Sequence, residues 1–210
     1  MALDLEEQEQ LAELKSWWKA HGSLVIGVVV AAMLGFAGWR YWGLYQAGQS
    51  AQAAALYETL GKAAQLGDAK GLRDAGGTLA ENYPRTLYAP MGALVSARFY
   101  YERNDLKSAK AQLQWAIERS ASEDLRDLAR LRLAAILLDE KAYDDALKQL
   151  EAAHAKPYEA QYATLKGDIL VAKGQPAEAR AAYKAALEKA EVQDAQFRET
   201  VRMRLDALGG

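Results

Sequence analysis

A single uncharged and mostly apolar run constrains this chain more than any other feature. It covers residues 20–39 and reads AHGSLVIGVVVAAMLGFAGW. A helix rises 1.5 Å per residue, so about 20 residues reach across the roughly 30 Å hydrocarbon core of a bilayer. Indole rings favour the interface between lipid and water, and four of the five tryptophans flank the run: Trp17, Trp18, Trp39 and Trp42. The run predicts one transmembrane helix, which we assign to residues 20–42.

A cleaved signal peptide is the main alternative for this run. Signal peptides begin with a basic segment, contain an apolar stretch of about 7–15 residues and end at a small-residue cleavage site. The first 14 residues here include five acids and no basic residue, and an aromatic rim, WRYW, stands where cleavage would occur. A buried core helix fits less well, because the rest of the chain is not apolar enough to cover it. We therefore expect an uncleaved anchor.

The basic residues next to the run predict its orientation. Lys15 and Lys19 precede it closely, whereas only Arg40 follows it closely. Basic residues near the ends of a span stay on the cytoplasmic side. We therefore expect residues 1–19 to form a cytoplasmic amphipathic segment and residues 46–210 to form a periplasmic domain at a bacterial inner membrane. The absence of cysteine fits the periplasm and the cytosol equally.

The charge balance of the larger domain argues against two classes of partner. The chain has 26 basic and 28 acidic residues, of which 23 of each follow residue 40, so that part is formally neutral. Proteins that bind nucleic acid or anionic lipid through a basic patch normally carry net positive charge. Alanine, leucine and charged residues dominate this part, and the whole chain has four prolines. That composition favours helices.

The helical part repeats. An alanine recurs after 34, 37 and 33 residues, with a small residue twelve positions before it and a bulky one four positions after it. Small residues let two helices approach to about 8–10 Å, and one such pair must stack on neighbours to bury its apolar face. The repeat predicts four antiparallel helix pairs. Their small positions are Ala63 and Ala75, Ala97 and Ala109, Ala134 and Ala146, and Gly167 and Ala179. Later alanines follow in the last three units, at Ala116, Ala153 and Ala186.

The last unit, YATLKGDILVAKGQPAEARAAYKAALEKA, resembles the tetratricopeptide repeat, whose period is about 34 residues. Small and aromatic signature positions of that family are matched by Gly167, Gly174, Ala179, Tyr183 and Ala186. Other units depart from the pattern: Ala93, Arg130 and Ala163 stand where an aromatic residue is usual. The resemblance implies an all-α fold, in which a single transmembrane helix precedes a tetratricopeptide-like right-handed α-solenoid of about four helix pairs.

A terminal helix is expected to cap this solenoid. The segment DAQFRETVRMRLDAL places Phe197, Val201, Leu205 and Leu208 on one helical face and charged residues elsewhere. Solenoids need an end helix with one polar side to seal the exposed core.

The residue inventory argues against an enzyme. The chain has two histidines and no cysteine, which excludes zinc clusters and Cys–His nucleophiles of the usual kinds. His21 lies at the expected membrane interface, and His154 takes the repeat position of Ile117 and Leu187, which indicates a packing role. Paired carboxylates such as Asp144 and Asp145 fall near helix starts, where they cap amides. We expect no catalytic residues, no cofactor and no metal.

The resemblance implies that the first helices of the pairs line a concave surface that binds protein partners. The mixed, largely aliphatic lining suits an extended or helical protein segment better than a phosphate. Leu128 and Leu131 fit this lining and a packing role inside the superhelix equally well. The residues that the repeat register places on the surface are Met91, Leu94, Arg98, Tyr101, Leu138, Gln161, Thr164, Asp168 and Val171.

A stripe of small residues on the span suggests a second contact. Gly27, Ala31 and Gly35 recur every four residues, which would let another membrane helix approach closely. Such triplets also arise by chance, because glycine is frequent in membrane helices.

The overall layout is similar to that of the YfgM family, the ancillary subunits of the bacterial SecYEG translocon. The residues that carry the likeness are an acidic amino terminus, KSWWK at 15–19, a single span, and NYPRTLYA at 82–89. The resemblance implies a non-enzymatic inner-membrane adaptor with a periplasmic repeat domain. It would join a membrane-anchored periplasmic chaperone of the parvulin-like type at the Sec translocon and assist emerging secretory proteins. The alternative is a general envelope scaffold that recruits another membrane or periplasmic assembly complex.

Overall fold

The computed structural model describes residues 3–191 and 194–209, with side chains from residue 9 onward. This part of the chain is helical and contains no strand, which confirms the all-α prediction. The chain divides into two units, Met1–Gln49 and Ser50–Gly210. The helices are α1 (Leu3–Leu66), α2 (Ala69–Asn82), α3 (Tyr88–Tyr101), α4 (Leu106–Arg119), α5 (Glu123–Asp139), α6 (Tyr143–Leu150), α7 (Glu159–Ala172), α8 (Pro176–Lys189) and α9 (Ala195–Asp206), with a short 3₁₀ turn at Lys156–Tyr158 before α7.

The first unit is occupied by the amino-terminal part of α1. By length and composition, this helix is long and apolar enough to cross a membrane, and almost none of its apolar window is buried. Leu24, Met33 and Phe36 are all more than 60% exposed. A core helix of a soluble domain would be covered by protein on most sides. These exposed apolar side chains instead suit contact with lipid.

The second unit contains the predicted helix pairs. The pairs are residues 50–66 of α1 with α2, α3 with α4, α5 with α6, and α7 with α8. All eight small positions of the repeat are buried, and Ala109, Ala134, Ala146 and Ala179 have no exposed surface. The repeat register read from the alanines is therefore confirmed.

The same turn connects the two helices of every pair. One residue adopts a left-handed conformation, with φ between 59° and 80°: Gly67, Asn104, Lys141 and Gly174. The N–H of the following residue then donates to a carbonyl five residues earlier, at 2.8–2.9 Å in each pair. This is the hydrogen bond of a Schellman motif, which satisfies a carbonyl at the helix end. The four pairs thus share the backbone conformation of the turn as well as the small residues at the helix crossings.

The third pair departs from the expected pattern. Its second helix, α6, has 8 residues, whereas α2, α4 and α8 have 14. Because α6 ends at Leu150, Ala153 lies exposed in a loop, whereas its counterparts Ala116 and Ala186 in the neighbouring pairs are buried. The loop after α6 is fixed to α5 instead, because the backbone N–H of Ala155 donates to Asp127 Oδ2 at 2.9 Å. Pro157 opens the 3₁₀ turn that follows the loop.

The carboxyl-terminal helix packs as a cap. Val201 of α9 is fully buried, and Phe197, Leu205 and Leu208 pack against the same cluster as Leu170 of α7 and Tyr183 of α8. The outward residues Glu199, Arg202 and Met203 are exposed. The prediction of a terminal helix with one apolar face is confirmed.

Replacing Ala179 by arginine tests the helix crossing. The alanine is fully buried in α8, so Ala179→Arg combines overpacking with a buried charge. We expect the free energy of unfolding of the repeat domain to fall by about 2 kcal/mol or more. Ala181→Arg is the matched control, because Ala181 is exposed on the same helix; it should change stability by less than about 0.5 kcal/mol. Equal melting temperatures of the two variants, followed by circular dichroism, would contradict the register.

Candidate functional site

An open groove lies between α3 and α5, the first helices of the second and third pairs. It has a volume of about 370 Å³. Its floor is apolar and consists of Ala97, Leu113 and Ile136, each at most 5% exposed, together with Ala135. Arg98, Tyr101, Glu102, Arg132 and Asp139 complete the lining. Apart from Leu113 of α4, the groove is formed by α3, with Glu102 at its carboxyl end, and α5, two of the first helices that the repeat register assigned to a partner-binding surface.

Polar contacts organise the rim of this groove. The Tyr101 hydroxyl donates to Asp139 Oδ2 at 2.7 Å and so links α3 to α5. This hydrogen bond, with the charge of Asp139 as a second cause, raises the pKa of Tyr101 above its ordinary value. Arg98 Nε donates to Glu102 Oε1 at 2.7 Å, one turn along the same helix. Tyr101 and Asp139 thus link the two helices at this part of the rim, and Arg98 and Glu102 pair within one helix turn.

Arg132 occupies a different position on the rim. Its Nη1 donates to the carbonyl oxygen of Leu94 at 3.3 Å, across from α5 to α3. Burial lowers the pKa of the Arg132 guanidinium, and the positive charge of Arg98 lowers it further. Both causes mean that the surroundings stabilise this charge less well than water does.

The structure brings together only some of the residues predicted for the concave surface. Arg98 and Tyr101 line the groove, and Met91 is half-buried at the start of α3. Leu94 is 5% exposed and belongs to the core; only its carbonyl faces Arg132. Leu138 is half-buried against the cluster of Ala134 and Ala146. Leu128 and Leu131, for which the sequence left both a binding and a packing role open, are also half-buried against core clusters. This position agrees with the packing role.

The four predicted positions on α7 do not line this groove. Gln161 and Val171 are exposed, whereas Thr164 is buried and donates from its hydroxyl to the Ala160 carbonyl at 2.8 Å. Asp168 accepts from the Tyr183 hydroxyl at 2.7 Å and from Arg204 Nη1 at 2.6 Å. Asp168 thereby joins α7 to α8 and to the cap α9. Burial, followed by the hydrogen bond to Asp168, raises the pKa of Tyr183.

A buried carboxylate in α5 was missed by the sequence analysis. Asp127 is 2% exposed; its Oδ1 accepts from Arg130 Nη1 at 3.1 Å, and its Oδ2 accepts from the Ala155 N–H. The Tyr162 hydroxyl donates to the Asp127 carbonyl at 3.2 Å. An acid on the inward face of a leucine-rich helix, in the run LRDLARLRLAA, was the available signal. This network fastens the loop that follows the shortened α6.

Each of the two histidines stacks on an aromatic ring. His154 stacks on Tyr162 with ring centres 4.1 Å apart, and its Nδ1 lies 3.0 Å from the Ala152 carbonyl. His21 stacks on Trp17, with ring centres 5.4 Å apart. On the span, Gly27 and Gly35 have open space around them: a Cβ placed on either glycine would meet no atom within 4 Å.

We expect Tyr162 to make the stability of the repeat domain sensitive to alkaline pH. Burial, followed by the charge of Asp127, raises its pKa from 10 to about 12. Its contribution is therefore complete below pH 10 and is lost as the pH rises toward about 12. We expect wild type to lose more free energy of unfolding between pH 9 and pH 11 than Tyr162→Phe does, as measured by urea denaturation. Tyr143→Phe, in α6, serves as the control and should follow wild type. Parallel losses in all three proteins would contradict this assignment.

Comparison with known proteins gives consistent matches over almost the whole chain. Residues 15–210 match a family model described as a tetratricopeptide repeat-like domain. A protein of Haemophilus influenzae named "Ancillary SecYEG translocon subunit" is 33% identical over 209 residues, which cover 99% of this chain and 100% of that protein. Proteins with the same name from Neisseria gonorrhoeae and Escherichia coli are 32% and 30% identical. These alignments cover 99% and 96% of this chain, and 100% and 96% of the respective relatives.

Proposed function

Because the chain belongs to the family of ancillary SecYEG translocon subunits, we propose that it is a non-enzymatic adaptor of the Sec translocon in a bacterial inner membrane. Its repeat domain would bind protein partners on the periplasmic side and assist secretory proteins as they emerge. The observation that carries this proposal is the extent of the likeness. It covers 99% of this chain and all of the Haemophilus influenzae relative, so the apolar span and the helix pairs lie within one alignment.

The proposed topology follows from charge. Lys15 and Lys19 precede the apolar run, and Arg40 is the one basic residue that follows it closely. The positive-inside rule then favours a cytoplasmic amino terminus and a periplasmic domain. In that compartment the groove between α3 and α5 would face segments that leave the translocon.

Two surfaces are available for protein partners. The groove offers an apolar floor with a polar rim, as protein-binding sites commonly do. The stripe of Gly27, Ala31 and Gly35 offers the span a close contact with another membrane helix. A membrane-anchored periplasmic chaperone of the parvulin-like type is the partner we propose beside the translocon, since it could engage both the span and the repeats.

A topology assay tests the first part of the proposal. A reporter fused after Gly210 that is active only outside the cytoplasm should be active, because the charge bias directs the repeat domain across the membrane. Protease added to spheroplasts should digest that domain and leave a short anchored fragment. The same fusion carrying Lys15→Glu and Lys19→Glu is the control and should show reduced reporter activity. A protease-resistant repeat domain in spheroplasts would reverse the proposed orientation.

Recovery of partners from detergent tests the second part. Full-length protein purified after crosslinking in intact membranes should bring down SecYEG subunits and the chaperone. Recovery of a different envelope complex, without translocon subunits, would favour the general scaffold.

Recovery after crosslinking also distinguishes docking through the span from docking through the repeat domain. Gly27→Leu with Gly35→Leu keeps the span apolar but covers the stripe, so recovery of the membrane partner should fall while insertion is unchanged. Val28→Leu with Val29→Leu, off the stripe, is the matched control. Equal recovery by both double variants would assign docking to the repeat domain.

A further inference from the structure

The charged groups around the groove between α3 and α5 are satisfied unequally. Arg98 and Glu102 form an ion pair at 2.7 Å, and Asp139 accepts the Tyr101 hydroxyl at 2.7 Å. Arg132 donates to the Leu94 carbonyl, and within the described residues no carboxylate lies within 4.0 Å of its guanidinium. Asp139 lies seven residues further along α5, a rise of about 10 Å along the helix axis at 1.5 Å per residue, and pairs with Tyr101. One end of the groove therefore presents a cation that lacks a counter-charge.

The environment of Arg132 favours an incoming anion. Arg132 is exposed to solvent, but contact of its guanidinium with α3 partly desolvates it, and this desolvation and the neighbouring charge of Arg98 both disfavour its protonated form. A carboxylate placed on the guanidinium would compensate both effects, and hydrogen bonds between guanidinium and carboxylate are among the stronger ones in proteins. A neutral amide at the same place would leave the charge uncompensated.

The apolar floor lies one helical turn from this cation. Ile136 follows Arg132 by four residues, and residues four apart on a helix are neighbours on one face, about 6 Å apart. In an extended chain, side chains two residues apart point to the same face and are separated by about 6.6 Å. The two spacings match. An extended segment can thus place a carboxylate on Arg132 and an aliphatic side chain against Ala97, Leu113 and Ile136.

We propose that the groove between α3 and α5 binds extended protein segments in which an acidic residue stands two positions from a large aliphatic residue. Arg132 receives the carboxylate and the floor receives the aliphatic side chain. This inference takes from the proposed function only the binding of protein segments by the repeat domain, and adds the chemistry that such a segment carries.

The test uses full-length protein in detergent and two fluorescein-labelled peptides, Ser-Gly-Glu-Ser-Leu-Gly-Ser and the same sequence with glutamine for glutamate. We expect fluorescence anisotropy to show binding of the glutamate peptide about three- to tenfold tighter, and this ratio to shrink as salt is raised. Arg132→Gln should bring the ratio to about one. Arg132→Glu should instead favour a peptide with lysine in place of glutamate. Arg119→Gln, which removes an exposed arginine of α4, should keep the wild-type ratio.

Three results would overturn the proposal: no binding of either peptide by wild type, equal binding of both, or a preference that survives in an Arg132→Gln variant with a wild-type circular dichroism spectrum. Recovery of SecYEG after crosslinking is measured on the same proteins. It distinguishes a failure of this proposal from a failure of the proposed function. If Arg132→Gln recovers SecYEG as wild type does but has lost the peptide preference, both proposals stand. If wild type shows the preference and recovers no SecYEG, the result supports the proposed peptide binding by the groove and contradicts the proposed translocon role.

Discussion

Close approach of two helices at a small residue is the contact on which the rest of the repeat domain depends. The fourth pair shows how little space remains: a Cβ added to Gly167 would lie 2.4 Å from Cε1 of Tyr183. The same role falls to buried alanines in the other pairs, including Ala134 and Ala146 with no exposed surface. The small residues at the crossing set the distance between the two helices of a pair. They therefore also determine where the outer faces of these helices lie. The groove between α3 and α5 and the seat of the cap α9 both follow from this spacing.

Features governed by local geometry could be predicted from the sequence. The repeat of alanines predicted the buried positions and the pairing of the helices. Both depend on residues within one helix pair, where spacing alone decides which side chains meet. Phe197 and Val201 likewise showed the buried face of the cap.

Features that depend on distant residues could not be predicted. The early end of α6 goes together with a hydrogen bond between Asp127 and Ala155, 28 residues apart. The ion pair of Asp168 with Arg204, 36 residues further along the chain, likewise joins residues that no single repeat unit contains. The stacking of successive pairs also decides that Leu94 is core while Arg98, one turn later, reaches the groove. No periodicity within a single unit contains this information.

The shortened α6 has a consequence for how the domain loses structure. In a linear array each repeat is stabilised by its own fold and by the interfaces with its neighbours. The third pair has a second helix of 8 residues, so its contact with α7 has less area than a helix of 14 residues would give. The junction with α7 instead relies on the contacts of Asp127 with Tyr162 and Ala155. We therefore expect α7–α9 to open at this junction as one folding unit while α3–α5 remain intact.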